Sequence, residues 1–468
     1  MKRGLDVLLS LEHVDSSRVA VTGLSGGGWQ TIFISGLDRR VTLCNPVAGY
    51  SSFRTRIRNH SDLGDSEQTP CDLATTADYA QLTAMRAPNP TLLTFNAKDD
   101  CCFRADHALQ PLLDAAGPVY KLYGKEANLR SHINENPGTH NYLQDNRQAF
   151  YRMVGDHFFA GQPFEAKEIP SDAELKSKEQ LEVALPARNA DFASLATSIA
   201  RDLPKDGALP KETGKAPAWQ RRRREQLRDI VRAHTYPIQA STTGAQSLDG
   251  VAVTRWKLRL GDAWTIPAVE LARSGAKETV LVIADDGRAS AGQIIRAQLD
   301  AGHRVVAVDP LLLGESQPQP PRQAYLWALL LGTVGERPLG IQASQLRSLA
   351  LWLNRERKTG PVTLIASGQR STLAALVAAG LEDTAIGGLE LRGSLGSLKE
   401  PIEQKVLFQA APEVFCFGLL ESFDIKQLAA LSAPRPVRFV EASARARQEL
   451  GQLEGWYRSF GVAYQPLH

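Results

Sequence analysis

Short apolar runs alternate with longer stretches of helical periodicity over the first 160 residues. The runs RVAVTGL, VTLCNPVAG, PTLLTFNA and PVYKLYG are rich in apolar and β-branched residues and predict strands. The stretches between them, such as SGGGWQTIFISGL and ADHALQPLLDAAG, predict helices. This alternation predicts an α/β domain with a mainly parallel sheet.

The pattern changes between residues 161 and 235 and then resumes. Residues 161–235 are polar and charged, with a Pro- and Lys-rich stretch between two helical patterns, and predict a helical connector that packs over one or both neighbours. Strand-like runs return over residues 236–468, among them ETVLVIADDG, HRVVAVDPLLLG, GPVTLIASG and GVAYQPL. A chain of 468 residues is also too long for one ordinary core. We therefore expect two α/β domains, 1–160 and 236–468, joined by a connector.

The two predicted domains share local patterns. LTAMRAPNPTLLTF (82–95) and LAALSAPRPVRFVE (428–441) both place A-P-x-P before an apolar strand. DVLLSLEHVDSSRVAV resembles LALWLNRERKTGPVTL in position and pattern, and each precedes a turn and a helix. Two related α/β units in tandem account for these matches.

Composition and charge narrow the classes of partner. The net charge of +3 gives no indication of nucleic-acid binding. The run Arg221–Arg224 is expected to be a solvated helix face that pairs with Glu225 and Asp229, rather than a basic patch. No run approaches the roughly 18–20 apolar residues of a membrane span. Asp6 and Glu12 interrupt the first apolar stretch, which favours an amphipathic helix over a signal peptide. We expect no nucleic-acid or membrane partner, and the compartment stays open.

The cysteines give no indication of a metal site. No CxxC pair occurs, and the number of cysteines is too low for a dense disulfide scaffold. We expect free, buried thiols. The alternative is a bridge from Cys71 to the Cys101/Cys102 pair. The five cysteines are Cys44, Cys71, Cys101, Cys102 and Cys416.

The stretch TGLSGGG at residues 22–28 places one serine among glycines, between a predicted strand and a predicted helix. In a G-x-S-x-G turn of this kind a nucleophilic serine has a strained backbone, so its neighbours must be small. The N–H of the next residue, Gly26, would then face the oxyanion at the helix N-terminus. This context favours Ser25 as a nucleophile; the alternative is a glycine-rich turn without chemistry.

A nucleophilic serine needs a histidine base, and that histidine needs a carboxylate to orient it. PTLLTFNA ends directly before Asp99 and Asp100, at the carboxyl edge of the predicted sheet. We expect Asp99 to be the acid and Asp100 the alternate, although either residue would also suit a helix N-cap. His140, in a Gly-Thr-His-Asn loop before a helix, is the expected base, and His132 is its competitor. The order Ser25, Asp99, His140 is the chain order of α/β-hydrolases.

The three segments that carry these residues resemble the acetyl xylan esterase-like branch of the α/β-hydrolases, over roughly residues 1–160. The segments are RGLDVLLSLEHVDSSRVAVTGLSGGGWQT, DLGDSEQTPCDLATTADYAQLTAMRAPNPTLLTFNAKDDCCF and PGTHNYLQDNRQAFYRMVGDHFF. The resemblance implies a serine carboxylesterase that uses these three residues. We expect a small-molecule or carbohydrate ester as the substrate, and no metal or organic cofactor. Ser51–Thr83 would be a cap-like insertion, in which Asp62, Asp65 and Glu67 are expected to be solvated rather than catalytic. The alternatives are a peptidase of the prolyl-oligopeptidase type and a non-enzymatic relative.

Both predicted domains depart from this family. Alignment of the second domain on the first puts Gly368 in place of Ser25, and Arg445 and Ala446 at the acid position, so we expect the second domain to be catalytically inactive.

The first domain has only one helix before Ser25, whereas the nucleophile of an α/β-hydrolase follows the fifth strand. We therefore expect its first four strands to be missing. Either the chain is truncated, or the other unit or another chain in an oligomer supplies them, or the first strand is an exposed edge. Truncation and weakened activity are the favoured expectation.

Overall fold

A computed structural model describes residues 1–63, 66–320, 323–382 and 384–467. The chain forms two compact units, Met1–Pro186 with Thr333–Gly335, and Ala187–Gly332 with Glu336–His468. Each unit has its own β-sheet with helices packed on it, so the expected α/β class is confirmed. The stretch expected to be a connector contributes to both units.

The first unit contains a parallel sheet with the strand order β1-β2-β3-β4. Its strands are β1 Ala20–Leu24, β2 Leu43–Val47, β3 Thr91–Asn96 and β4 Leu129–Asn134. Its helices are α1 Lys2–Leu8, α2 Gly26–Leu37, α3 Phe53–Arg58, α4 Tyr79–Ala84, α5 Ala105–Leu122 and α6 Gln144–Phe158. The two central strands are buried along their whole length, as expected of a sheet covered on both faces. Cys44 packs with α1 and α2, and its neighbour Leu43 packs with α6.

The fourth strand differs from the expected one. The run PVYKLYG, expected to be a strand, lies at the end of α5 and just beyond it. Leu112, Ala116 and Tyr120 form a buried stripe at helical spacing, and this stripe continues the helix through the run. The observed β4 has the mixed sequence LRSHIN and is only partly buried, because it lies at the edge of the sheet.

β1 lies at the other edge of the four-stranded sheet. It pairs with β2 alone, and among the described residues no strand precedes it. Ala20 is exposed and the other four residues of the strand are half-buried. Within the described part of the chain, β1 is thus the first strand of this unit, as expected.

The insertion over residues 51–83 is folded around a buried arginine. Arg56 donates to the main-chain and side-chain oxygens of Gln68, at 3.2 and 3.1 Å. The expectation that Asp62 is solvated is wrong, because Asp62 is fully buried. Its carboxylate accepts the N–H of Phe103 at 3.2 Å and contacts Nε2 of His107 at 2.8 Å. Asp65 lies outside the described residues.

The second unit contains an eight-stranded sheet with the order β12-β11-β10-β8-β9-β7-β6-β5. Its strands are β5 Ile238–Leu248, β6 Val251–Leu260, β7 Trp264–Arg273, β8 Thr279–Ala284, β9 Arg304–Val308, β10 Val362–Ser367, β11 Ile386–Arg392 and β12 Val437–Val440. Its helices are α7 Phe192–Ala200, α8 Ala216–Ile230, α9 Gly292–Asp300, α10 Ala324–Thr333, α11 Pro338–Arg355, α12 Gln369–Leu381, α13 Glu400–Glu403, α14 Leu419–Ser422, α15 Ile425–Ser432, α16 Ala444–Leu450 and α17 Leu453–Arg458. β5, β6 and β7 form antiparallel hairpins, and β8 to β12 are mutually parallel. This arrangement is consistent with an α/β-hydrolase-like unit. The run GVAYQPL, expected to be a strand, makes a single bridge from Leu467 to Phe439.

The repeated segments have the same local structure. α4 begins with a capping box formed by Asp78 and Gln81, and α15 begins with the same device formed by Asp424 and Gln427. α4 leads into β3, and α15 leads into β12. In its sheet, β3 lies two positions from β1, which precedes α2, and β12 lies two positions from β10, which precedes α12. The strand–helix pairs β1–α2 and β10–α12 therefore occupy corresponding positions in the two units.

The arginine run in α8 is only partly solvated. Arg221 and Arg222 are exposed, as expected. Arg223 is 2% exposed, and its guanidinium lies 4.1 Å from the ring centroid of Phe423. Arg224 donates to the carbonyl of Gly380 at 2.8 Å. Half of this run thus packs into the second unit.

Candidate active site

Ser25 stands at the junction between β1 and α2 in a backbone conformation that is rare for any residue except glycine. Its φ is 58° and its ψ is −119°. The turn is held at both sides, because the N–H of Ser25 donates to the carbonyl of Val47 and its carbonyl accepts from Trp29, each at 2.9 Å. A Cβ atom on Gly23 would lie 2.7 Å from the backbone of Gly27, so the close crossing of strand and helix requires glycine at position 23. A serine in a G-x-S-x-G nucleophile elbow would require a strained, closely packed turn of this kind.

Gly26 is the first residue of α2. The N–H groups of a first helical turn have no partner within the helix and carry the positive end of its dipole. A carboxylate lies close to this turn, because Oε1 of Glu67 would be 3.3 Å from a Cβ atom on Gly26. Glu67 is half-buried rather than fully solvated as expected. Its negative charge would oppose an oxyanion at this turn and favour donors such as substrate hydroxyls.

Asp99 and His140 are brought together by loops that follow β3 and β4. Nδ1 of His140 lies 2.9 Å from Oδ2 and 3.0 Å from Oδ1 of Asp99. The Asp99 side chain is fully buried and the His140 side chain is 19% exposed. The hydrogen bond with Asp99 raises the pKa of His140 above its ordinary value, although burial opposes this.

Asp99 is held ionised by several donors. Burial alone would raise its pKa, but hydrogen bonds from His140, from Asn96 and from two backbone N–H groups outweigh burial and lower it. Nδ2 of Asn96 lies 3.0 Å from Oδ2, and the N–H groups of Cys101 and Cys102 lie 3.0 and 3.1 Å from Oδ1. A buried carboxylate with four donors is well suited to orient an imidazole.

Asp100, the alternate acid, has a different contact. Its Oδ1 accepts the backbone N–H of His140 at 2.9 Å. Asp99 therefore holds the imidazole ring, while Asp100 holds the loop that carries it.

A cluster of buried asparagines supports both loops, and sequence reasoning missed it. Nδ2 of Asn146 donates to Oδ1 of Asn96 at 3.1 Å, and Nδ2 of Asn141 donates to Oδ1 of Asn134 at 3.0 Å. Asn134 also accepts the N–H of Gly138 at 2.9 Å. The available signal was that β3 and β4 both end in asparagine, TLLTFN and LRSHIN, at the sheet edge where the candidate residues lie.

A hydroxyl pair joins the His140 segment to β1. The hydroxyl oxygens of Tyr142 and Thr22 are 2.6 Å apart. Thr22 donates its own proton to the carbonyl of Asn45 at 2.8 Å, so Tyr142 must be the donor in this pair. Thr22 precedes Ser25 by three residues, and Tyr142 follows His140 by two. The contact therefore holds the segments of both candidate residues together at the carboxyl ends of the strands. Among the described residues, no hydrogen bond joins the Ser25 hydroxyl to His140.

His132, the competing histidine, has a separate partner. It lies on β4, and its Nε2 is 2.9 Å from Oδ2 of Asp145. Asp145 lies in the first turn of α6, and no hydrogen bond between His132 and Asp99 is found among the described residues. The geometry therefore favours His140 over His132 as the partner of Asp99.

Cys44, Cys101 and Cys102 are free thiols, so the alternative bridge from Cys71 to the Cys101/Cys102 pair is not formed. Cys101 is exposed and Cys102 is buried, and their sulfur atoms lie 3.3 Å apart. In the part of the chain that the structure describes, no group of three or more His, Cys, Asp or Glu residues could hold a metal ion. Within the same residues, no helix is long and apolar enough to cross a membrane.

The corresponding position in the second unit is occupied by a carboxylate. Gly368 follows β10 with a φ of 101°, and a Cβ atom there would overlap the carboxylate of Asp285. That carboxylate accepts the N–H groups of Ser371 and Arg370, at 2.7 and 3.2 Å, at the start of α12. The Arg370 side chain pairs with the buried Glu413 at 2.6 Å. An internal anion thus occupies the helix N-terminus that corresponds to the turn after Ser25.

Comparison with known proteins gives structural neighbours only. No protein-family model matches the chain, and no curated protein matches it. A candidate acetyl xylan esterase from Bacteroides fragilis is similar in structure, with 14% identity, a TM-score of 0.49, and coverage of 58% of this chain and 80% of the other. A glucuronoyl esterase from Solibacter usitatus has 13% identity and a TM-score of 0.39, with coverage of 52% of this chain and 82% of the other. A CE15 esterase from a marine bacterial metagenome has 13% identity and a TM-score of 0.38, with coverage of 52% and 81%.

Proposed function

We propose that this chain is a serine hydrolase that cleaves carboxylic esters through an acyl-enzyme on Ser25. The observation that carries the proposal is the Asp99–His140 pair, whose nearest atoms are 2.9 Å apart. This pair lies at the carboxyl ends of the strands, where Ser25 stands in its strained turn. His140 would take the proton of the Ser25 hydroxyl as the serine attacks the ester carbonyl, and would then give it to the leaving alcohol. The Gly26 N–H would stabilise the oxyanion against the opposing charge of the nearby Glu67 carboxylate. Water would then hydrolyse the acyl-enzyme by the reverse proton path.

The resemblance of residues 1–160 to acetyl xylan esterase-like proteins directs the proposal to short acyl esters of carbohydrates or small alcohols. No step in this chemistry needs a metal or an organic cofactor. We further propose that the second unit does not hydrolyse esters and serves stability or substrate access, because Gly368 has no side chain and Asp285 occupies the adjacent helix N-terminus.

A second candidate is a non-enzymatic binding protein. The observation that favours it is the edge position of β1, since the second oxyanion donor of an α/β-hydrolase comes from a loop after an earlier strand, and no strand precedes β1 among the described residues.

The test compares hydrolysis of p-nitrophenyl acetate by the wild-type chain, by Ser25→Ala and by the matched control Ser10→Ala, at an exposed serine of the same unit. We expect Ser25→Ala to lower kcat by roughly a thousandfold or more, and Ser10→Ala to leave it unchanged. Equal rates for wild type and Ser25→Ala would overturn the proposal. Labelling by a fluorophosphonate separates the two candidates, because only an assembled elbow reacts covalently at Ser25.

A further inference from the structure

Two adjacent cysteines form part of the loop that holds Asp99. The backbone N–H groups of Cys101 and Cys102 both donate to Oδ1 of Asp99. Their two sulfur atoms are 3.3 Å apart, so a disulfide bond of about 2.05 Å needs an approach of only about 1.3 Å. The thiols that could react with each other thus belong to the same two residues that stabilise the candidate acid.

A disulfide between adjacent residues changes the backbone that carries it. Adjacent Cα atoms are about 3.8 Å apart across a trans peptide, which is closer than the roughly 4.4–6.8 Å of ordinary disulfides. Ring closure therefore distorts the peptide between Cys101 and Cys102, and the N–H of that peptide is one of the donors to Asp99. The next residue, Phe103, already has a φ of 59° and is fully buried, so the loop cannot relax toward that side without cost.

We propose that Cys101 and Cys102 form a reversible disulfide that switches off the site by withdrawing backbone donors from Asp99. This inference rests on the proposed ester hydrolysis and names a regulation of the same site. The strain of the ring makes the bond easy to reduce, as is typical of labile rather than structural disulfides.

The exchange balances with a small-molecule disulfide such as oxidised glutathione. The Cys101 thiolate, which is exposed, attacks one glutathione sulfur, the glutathione S–S bond breaks and one glutathione thiolate leaves. Cys102 then loses its proton and attacks the Cys101 sulfur, the mixed disulfide breaks and the second glutathione thiolate leaves. Two protein thiols lose two electrons and two protons, and one glutathione disulfide is reduced to two thiols. Burial raises the pKa of the Cys102 thiol, so Cys101 reacts first.

The loss of a donor acts on a buried carboxylate. The Asp99 side chain is fully buried, so a lost N–H contact is not replaced by water and the position of the carboxylate changes. His140 is oriented by that carboxylate, and the proton transfers depend on its orientation. We expect kcat for p-nitrophenyl acetate to fall at least about tenfold in the disulfide form, with a smaller change in KM.

The experiment equilibrates the full chain with oxidised glutathione or with dithiothreitol, removes the reagent, and measures kcat, intact mass and the linked peptide. The expected result is the loss of two hydrogen atoms per chain, a Cys101–Cys102 link, a lower kcat and full recovery in dithiothreitol. The variant Cys101→Ser lacks the thiol that starts the exchange; it is compared with itself in the two conditions, and we expect its kcat ratio to be close to one. Cys71→Ser is the matched control in the same unit and should keep the wild-type ratio.

Three outcomes would overturn the inference. They are full activity in the disulfide form, a stable glutathione adduct on Cys101 of the wild-type chain without ring closure, and a loss of activity in oxidised glutathione that persists in Cys101→Ser. If the reduced wild type shows no Ser25-dependent hydrolysis, the proposed function fails together with this regulation. Hydrolysis that continues after the disulfide forms would contradict the regulation alone.

Discussion

At the scale of single residues, the Asp99–His140 pair sets the pH range of the candidate site. The pKa of His140 is raised, first by its hydrogen bond with Asp99, and the pKa of Asp99 is lowered because its hydrogen bonds outweigh burial. The raised pKa of His140 stabilises the fold at pH values below the unfolded value, and this contribution is lost as pH rises through the folded pKa. Asp99 contributes above its unfolded pKa and loses its contribution as pH falls through its lowered folded pKa.

Because a general base must be neutral, we expect Ser25-dependent hydrolysis to rise with pH, with a midpoint above the ordinary histidine value of 6.5. Asp99→Asn removes the charge that raises the pKa, so the midpoint should move down, and kcat should fall by roughly a thousandfold or more. The measurement is kcat/KM for p-nitrophenyl acetate over a pH series. His132→Gln is the control and should keep the wild-type midpoint; an unchanged midpoint in Asp99→Asn would contradict this assignment.

The candidate residues were predictable from sequence because each belongs to a local pattern. Ser25 lies in a glycine turn after an apolar run, and Asp99 follows a strand end directly. Which of Asp99 and Asp100 contacts the His140 ring was harder to predict from the sequence. Adjacent side chains point in different directions, and these directions depend on the conformation of the whole loop. The burial of Asp62 depends on His107 and Phe103, which are 45 and 41 residues away in the chain. A local pattern contains no information about such contacts.

At the scale of elements, the segment after β4 is tied to β1 by the Tyr142–Thr22 hydroxyl pair. No hydrogen bond joins Ser25 to His140 among the described residues, so this contact is a direct hydrogen-bonded link between the two segments that carry them. The strands themselves were predictable where they are buried on both faces, as in β2 and β3. The edge strand β4 was not, because its mixed burial removes the apolar run on which the prediction depends.

Tyr142→Phe removes the donated hydrogen bond and keeps the aromatic packing. The loss of about 1 kcal/mol should lower kcat about fivefold, with little change in KM, because the substrate does not need to contact this hydroxyl. The rate of fluorophosphonate labelling at Ser25 should fall by the same factor. Tyr151→Phe, which removes a hydroxyl contact to Glu168 in the same unit, is the control. Equal labelling rates in Tyr142→Phe and in the control would show that the pair does not position the site.

At the scale of the whole molecule, each of the two units contains a strand–turn–helix motif. The two motifs differ in the residue at the turn and in the carboxylate near the start of the helix. In the first unit the turn after β1 holds Ser25, and Oε1 of Glu67 lies near the helix start at Gly26. In the second unit the turn after β10 holds Gly368, and Asp285 fills the helix start. The local similarity of the two segments that lead into β3 and β12 was visible in the sequence through the A-P-x-P repeats. The contact of Asp285 with α12 was not visible, because Asp285 follows the end of β8 and lies 85 residues before its partner Arg370.

Gly368→Ala tests this account of the second unit. A methyl group there would overlap Asp285 and would force a non-glycine residue to a φ of 101°, so the free energy of unfolding of this unit should fall by roughly 2 kcal/mol or more. The matched control is Gly455→Ala, at an exposed position of α17 with no atom near the added methyl group. This change should raise the free energy of unfolding by about 0.5–1 kcal/mol. Urea titration followed by tryptophan fluorescence measures both.

Because each unit has its own sheet, hydrolysis of p-nitrophenyl acetate in the absence of urea should be the same in the two variants. A stable Gly368→Ala variant would mean that the Asp285 carboxylate does not hold this turn, and a loss of hydrolysis in the folded variant would mean that the second unit contributes to the reaction.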